Sequence, residues 1–175
     1  MLKIAIVGPE SSGKTELCVA LAEHFGSAWV DEVSRTYLEH LGRRYQEDDL
    51  RVIARRLAVL HADDPDAMTD GLDGPTFYDT DTINLWIWSR EKYGRVHPEI
   101  ERMVHEVGYT WRLLCRPDIP WVPDPLRENP HDRDRLFTIW EATLQANGFP
   151  YTIIAGDREL RLRTAVQAVE RLLGH

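Results

Sequence analysis

The sequence predicts a three-layer α/β fold, a five-stranded parallel sheet with helices on both faces. Three observations predict it. Strand-length apolar runs alternate with helical patterns along the chain. The first run, Ile4-Ala5-Ile6-Val7, is apolar without alternation, as in a strand buried between two helical layers. It leads straight into Gly8-Pro9-Glu10-Ser11-Ser12-Gly13-Lys14-Thr15, which matches the G-x-x-x-x-G-K-[ST] pattern between a strand and a helix.

The elements follow in order. The first strand covers 2–7. A helix over 14–25 has Leu17, Ala20, Leu21 and Phe25 on one stripe, and Gly26 stops it. A short strand at 28–31 precedes helices at 35–41 and 48–61. The polar, turn-rich stretch 63–74 reads as a loop. A third strand at 76–78 is followed by helices at 84–93 and 98–107, then by a fourth strand at 109–115. Prolines 117, 120, 123, 125 and 130 make the next connection irregular. A helix at 132–147, a fifth strand at 151–155 and a closing helix at 158–173 complete the layers.

A chain of 175 residues suits one domain, 1–175, with a lid at about 123–135. Its net charge of −8, from 21 Lys and Arg against 29 Asp and Glu, argues against binding duplex nucleic acid. The basic side is 18 Arg and only three Lys, and one of those three, Lys14, lies in the glycine-rich motif. No apolar run approaches the ~18 residues of a membrane span, and the N-terminus lacks a signal-peptide pattern. Cys18 and Cys115 are too far apart in sequence for a zinc or disulfide framework, and they point to a reducing cytoplasm.

Each position of the motif has a physical task. Gly8 and Gly13 permit backbone angles that turn successive N–H groups inward, forming a nest for phosphate oxygens with Glu10, Ser11 and Ser12. The helix that opens at Lys14 adds its N-terminal amides and dipole, with Glu16 in its first turn. Lys14 reaches the β- and γ-phosphates of ATP, and the Thr15 hydroxyl is a ligand for Mg2+. The residue frequencies of this chain give on the order of one accidental match per thousand shuffles.

Thr76-Phe77-Tyr78-Asp79-Thr80-Asp81 puts two carboxylates at a strand end, where an open α/β sheet presents its ligands. Asp79 is the candidate for holding Mg2+. Asp81 is placed to reach metal or substrate, or else to cap the helix that follows. After the second strand comes Asp31-Glu32-Val33-Ser34-Arg35. Glu32, Asp31 or Asp81 could orient and deprotonate an acceptor hydroxyl, with Arg35 pairing with the substrate or with that carboxylate. Arg127 and Arg133, in the proline-rich segment, are candidates to stabilise the transferring phosphoryl charge as a lid closes. Arg135 suits a local helix pair or solvent. Trp86 and Trp88 cannot share one helix face, and Trp88 is the candidate for the cleft. Asp157 and Arg158, after the last strand, either line an adenine or form a simple capped turn.

These segments together resemble the ribosylnicotinamide kinase domain of NadR-type proteins, P-loop kinases of NAD salvage. The segments that carry the resemblance are GPESSGKT (8–15), DEVSRTYLEHLG (31–42), YDTDTINLWIWSREKYG (78–94), PWVPDPLRENPHDR (120–133) and PYTIIAGDRELRLRTAVQAVERLL (150–173), in family order. Val33 stands where the family's usual E-Y-[AG]-R has its Tyr. The resemblance implies a three-layer P-loop kinase fold with an Arg-bearing lid. It also implies ATP and Mg2+ as cofactors and transfer of phosphate to the 5′-hydroxyl of nicotinamide riboside, giving nicotinamide mononucleotide. A cleft with Asp31, Glu32, Asp81 and a Trp face would suit that cationic nucleoside. Family members often carry an adenylyltransferase and sometimes a DNA-binding helix-turn-helix. Here the phosphate loop begins at residue 8 and the rest completes one sheet, so neither is expected. Two alternatives share the same phosphate site: a kinase for another nucleoside or small alcohol, and an ATP-binding sensor without transfer chemistry. The expected partners are a nucleoside and ATP, with no membrane and no nucleic acid, and the oligomeric state is left open.

Overall fold

β1 (Lys3–Val7) becomes the middle strand because its side chains are apolar in both directions. The computed structural model describes residues 2–62 and 74–174. Around β1 the sheet runs in the order β2-β3-β1-β4-β5, all pairs parallel. The remaining strands are β2 (Trp29–Val30), β3 (Thr76–Asp79), β4 (Trp111–Cys115) and β5 (Tyr151–Ile154). The helices are α1 (Lys14–Phe25), α2 (Val33–Glu39), α3 (Glu47–Ala62), α4 (Thr82–Tyr93), α5 (Pro98–Glu106), α6 (Arg133–Ala146) and α7 (Arg158–Leu173).

The period of two along β1 divides the core. Ile4 and Ile6 point to one face, where Leu17, Cys18 and Leu21 of α1 and Ala165 and Val169 of α7 cover them. Ala5 and Val7 point to the other, against Ile83 and Ile87 of α4 and Leu136, Phe137 and Leu144 of α6. Each buried Leu or Ile contributes about 1.5–3 kcal/mol, so these two layers carry most of the stability. A third cluster joins Leu50, Ile53 and Leu57 of α3 to Leu85 of α4 and Ile100 of α5. It builds an apolar wall beyond the sheet edge.

Most elements stand where the sequence places them, and the shifts have local causes. β2 is two residues long rather than four, and lies at one sheet edge paired with β3. α2 starts at Val33 rather than 35 and ends at Glu39. α4 starts two residues early because the Asp81 carboxylate accepts a hydrogen bond from the Ile83 N–H at 2.8 Å and caps it. β4 starts at Trp111 because Tyr109 turns back, its N–H bonding Val107 O at 2.9 Å. The loop expected at 63–74 lies, save for Gly74, outside the described residues. Among the described residues no helix is long and apolar enough to cross a membrane. Cys18 and Cys115 are free and buried.

Candidate active site

The phosphate loop leaves the C-terminal end of the middle strand and turns into α1. Gly8 has φ +135°, and a Cβ there would lie 2.6 Å from the Cys115 carbonyl oxygen of β4. Only glycine fits that approach. The loop is tied from within: the Ser12 hydroxyl donates to Pro9 O at 2.7 Å, and the Lys14 ammonium donates to the same oxygen at 2.9 Å. Ser11 (φ +52°) and Thr80 (φ +78°) are the non-glycine residues with left-handed backbone among the described residues, and both line the cleft. Backbone strain of this kind collects at ligand sites.

Asp79 and Asp81 sit two residues apart and meet opposite fates. Asp79 ends β3, beside β1, and is 1% exposed. Its Oδ2 accepts from the Thr15 hydroxyl at 2.5 Å, while its buried Oδ1 has no partner. Burial raises its carboxyl to about 6, against the pull of Lys14. A hydroxyl and a carboxylate with one oxygen left unsatisfied form a donor set that fits a small, hard cation such as Mg2+. Among the described residues no group of three or more His, Cys, Asp or Glu could hold a metal.

Asp81 is 0% exposed and does not line the cleft. Its Oδ2 accepts from Arg112 Nε at 2.8 Å, and Arg112, 2% exposed, lies over the Phe149 ring at 4.1 Å. Asp81 therefore caps α4 and neutralises a buried guanidinium, which corrects the expectation that it reaches substrate or metal. Fully buried, with both oxygens hydrogen-bonded, it presents no face to the cleft.

The cleft above the phosphate loop has a volume of about 400 Å³. Glu32 lines it, with its carboxylate accepting from the Ser34 hydroxyl at 2.5 Å. Asp31 is exposed and outside the lining, its carboxylate held by the Glu32 N–H at 2.8 Å. Arg35 lines the cleft and pairs with Asp124 of the lid at 3.0 Å. Trp88 lines it, whereas Trp86 packs into the core edge with its indole N–H on Glu101.

The two lid arginines separate as well. Arg127 lines the cleft and donates to Val122 O. Arg133 does not line it, because its guanidinium is taken by Ser11 O at 3.0 Å and Ile119 O at 3.1 Å. Its role is to brace the loop. Arg135 pairs with Asp132 and Glu91. After β5, Asp157 caps α7 by accepting from the Leu160 N–H at 2.9 Å, and Arg158 pairs with Glu16 at 2.8 Å. Asp157 and Arg158 do not line the cleft, while Glu16 does.

Sequence reasoning missed several residues. Arg161 of α7 is buried and donates to Ser12 O at 2.9 Å, to Gly156 O at 2.7 Å and to Asp118. It knits three loops together beneath the phosphate loop. Leu38, Ile53 and Leu57 supply the apolar wall, and Asn84 and Trp140 meet there with a 3.1 Å hydrogen bond. Nothing in the local sequence marks them, because their proximity is made by packing.

A family model described as an AAA domain matches residues 3–161. The chain belongs to that family. Across 98% of its length it is 27% identical to the trifunctional NAD biosynthesis/regulator protein NadR of Salmonella typhimurium, and equally to that of Escherichia coli. It spans 42% of the length of each of these relatives. The resemblance to NadR-type proteins is thereby borne out. Among solved structures, NadR in complex with NR matches with a TM-score of 0.81 at 20% identity, over 99% of this chain and 52% of that one. NadR in complex with NAD and AMP-PNP matches at 0.80 and 19%, over 99% and 50%. Deoxyadenosine kinase from M. mycoides with bound dATP matches at 0.58 and 9%, over 97% and 100%. The AAA-family chain thus has the P-loop kinase-like α/β fold expected of it.

Proposed function

We propose that the chain is an ATP-dependent kinase that phosphorylates the 5′-hydroxyl of nicotinamide riboside, as a single domain over 1–175 with its lid at about 123–135. The observation that carries the reading is the contact between Thr15 and Asp79. It joins Thr15, at the cleft-lining end of a complete phosphate loop, to a buried carboxylate whose other oxygen has no partner. Homology to NadR supports the choice of acceptor.

In this reading the loop amides from Gly8 to Thr15 and the Lys14 ammonium hold the triphosphate. Thr15 and Asp79 would hold Mg2+, which when bound neutralises charge between the β- and γ-phosphates. Glu32 orients the acceptor hydroxyl and takes its proton, since it is the one of the three candidate carboxylates that lines the cleft. Arg127 faces the transferring group from the lid, and Arg133 keeps the loop in shape from behind. Trp88 and the apolar wall of Leu38, Ile53 and Leu57 receive the base, and a Trp face suits a cationic ring.

The test is ADP release from Mg-ATP with nicotinamide riboside beside a panel of nucleosides. Stimulation by nicotinamide riboside, with Glu32→Gln lowering kcat by roughly 10²–10⁴, is the expected result. Stimulation by another nucleoside alone removes this acceptor, and ATP binding without any stimulation removes the kinase.

A further inference from the structure

Glu10 and Glu128 link the two halves of the cleft in a way the reaction chemistry does not require. Glu10 is part of the phosphate loop, but its carboxylate turns to the lid. It accepts the Glu128 N–H at 3.0 Å and the Asn129 N–H at 2.9 Å. The side chain of Glu128 then leaves in the other direction. It accepts from the Lys92 ammonium at 3.0 Å and from the Tyr45 hydroxyl at 3.0 Å. Tyr45 in turn accepts from the Trp88 indole N–H at 2.8 Å and from Lys92, and its ring meets Trp88 edge-on at 4.9 Å.

The phenol is used to capacity. A tyrosine hydroxyl has one proton and two lone pairs. Here the proton goes to Glu128 and the lone pairs go to Trp88 and Lys92. Trp88 lines the part of the cleft where the acceptor would lie. One lid residue therefore touches the phosphate loop with its main chain and the acceptor wall with its side chain. Lys92 and Glu128 are 33% and 50% exposed, so each contact is weak and opens readily.

We infer that Glu128 is a positioning residue that fastens the lid at once to the phosphate loop and, through Tyr45 and Lys92, to the acceptor wall. The inference rests on the kinase reading above. A lid fastened in this way closes fully when the Trp88 wall is in register, which keeps water from the phosphoryl group when no acceptor is bound.

The experiment has two arms on the full chain. In the first, hydrogen exchange is followed across 122–130 without ligand. Glu10→Ala and Glu128→Ala are expected to speed exchange at Glu128 and Asn129 or their equivalents by about tenfold, with the sheet amides unchanged. In the second, ADP released is compared with acceptor phosphorylated. The ratio is near one for the parent chain. It is expected to rise above about two for Glu128→Ala, with the acceptor KM up about fivefold. Glu128→Gln keeps one acceptor oxygen for Tyr45 and loses the charge that faces Lys92, and is expected to recover part of the loss. Unchanged lid exchange in both variants overturns the inference. So does a parent-like ratio and KM in Glu128→Ala, or a fall in kcat and Tm together with the ratio held at one. No turnover by the parent chain with any acceptor removes the kinase reading instead. The exchange arm then decides the fastening alone.

Discussion

The phosphate loop and the lid face each other across the cleft and are held by opposite means. The loop rests on buried groups: Gly8 against β4, Ser12 bonded to Pro9, and Arg161 beneath Ser12 O. The lid is held by half-exposed ion pairs, Arg35 with Asp124 and Lys92 with Glu128. Buried contacts in low dielectric are costly to break, whereas exposed pairs contribute about 0–1 kcal/mol each. In the proposed kinase the difference matches two tasks. A site that stabilises charge must be set before the ligand arrives, and a cover must open for every turnover.

Breaking the buried side should have the largest effect. Asp81→Ala leaves Arg112 charged, buried and unpaired, and is expected to cost about 3–5 kcal/mol in urea unfolding. Replacing the pair together, Asp81→Leu with Arg112→Met, should restore much of that. A cost under about 1 kcal/mol for Asp81→Ala alone would show that the pair does not hold the α4 start. Next comes Lys14→Ala. Its ammonium bonds a loop carbonyl, so folding should survive while ADP release falls on the order of 10²–10³-fold. A thermal melt beside the assay separates the two effects.

A third effect depends on pH. Burial, with the Lys3 charge adding to it, pulls His61 down to about 3 from its ordinary value. The folded protein keeps His61 neutral, but the unfolded chain takes up a proton below about pH 6.5. The unfolded state then binds more protons, so this stability is present above pH 6.5 and is lost as pH falls toward 3. The slope is up to about 1.4 kcal/mol per pH unit. Unfolding free energies from urea titrations at pH 7 and pH 5 should differ by about 2 kcal/mol, and His61→Gln should flatten that interval. The smallest effect belongs to the lid. Asp124→Ala should change stability by less than about 1 kcal/mol while raising KM a few-fold, and initial rates at varied ATP and acceptor measure it. A stability loss as large as that of Asp81→Ala would abolish the contrast between the two regions.

How much of this was legible in the sequence follows the same division. The phosphate loop, Thr15, Asp79 and the five strands were readable, because each rests on spacing within one element or on one element's apolar pattern. The carboxylates were readable as a group but not by role. The strand end leaves Asp81 open between a reacting group and a helix cap, and its ion pair with Arg112, from a strand two positions away in the sheet, is visible only in the fold. Arg133 misled for the same reason, since its partners Ser11 and Ile119 come from other segments. Arg161, Tyr45 and the wall of Ile53 and Leu57 carried no local signal at all.

The sequence by itself determined the layer architecture, the middle strand and the chemistry of the phosphate loop. Period, glycine placement and residue type act over a few neighbours, so their consequences are local. Only the tertiary structure decided which carboxylate and which arginine line the cleft, and that the lid touches both the phosphate loop and the apolar wall around Trp88. Those outcomes depend on burial and on partners far apart in the chain. A charged group's availability is what remains after every neighbour the fold brings to it has been satisfied.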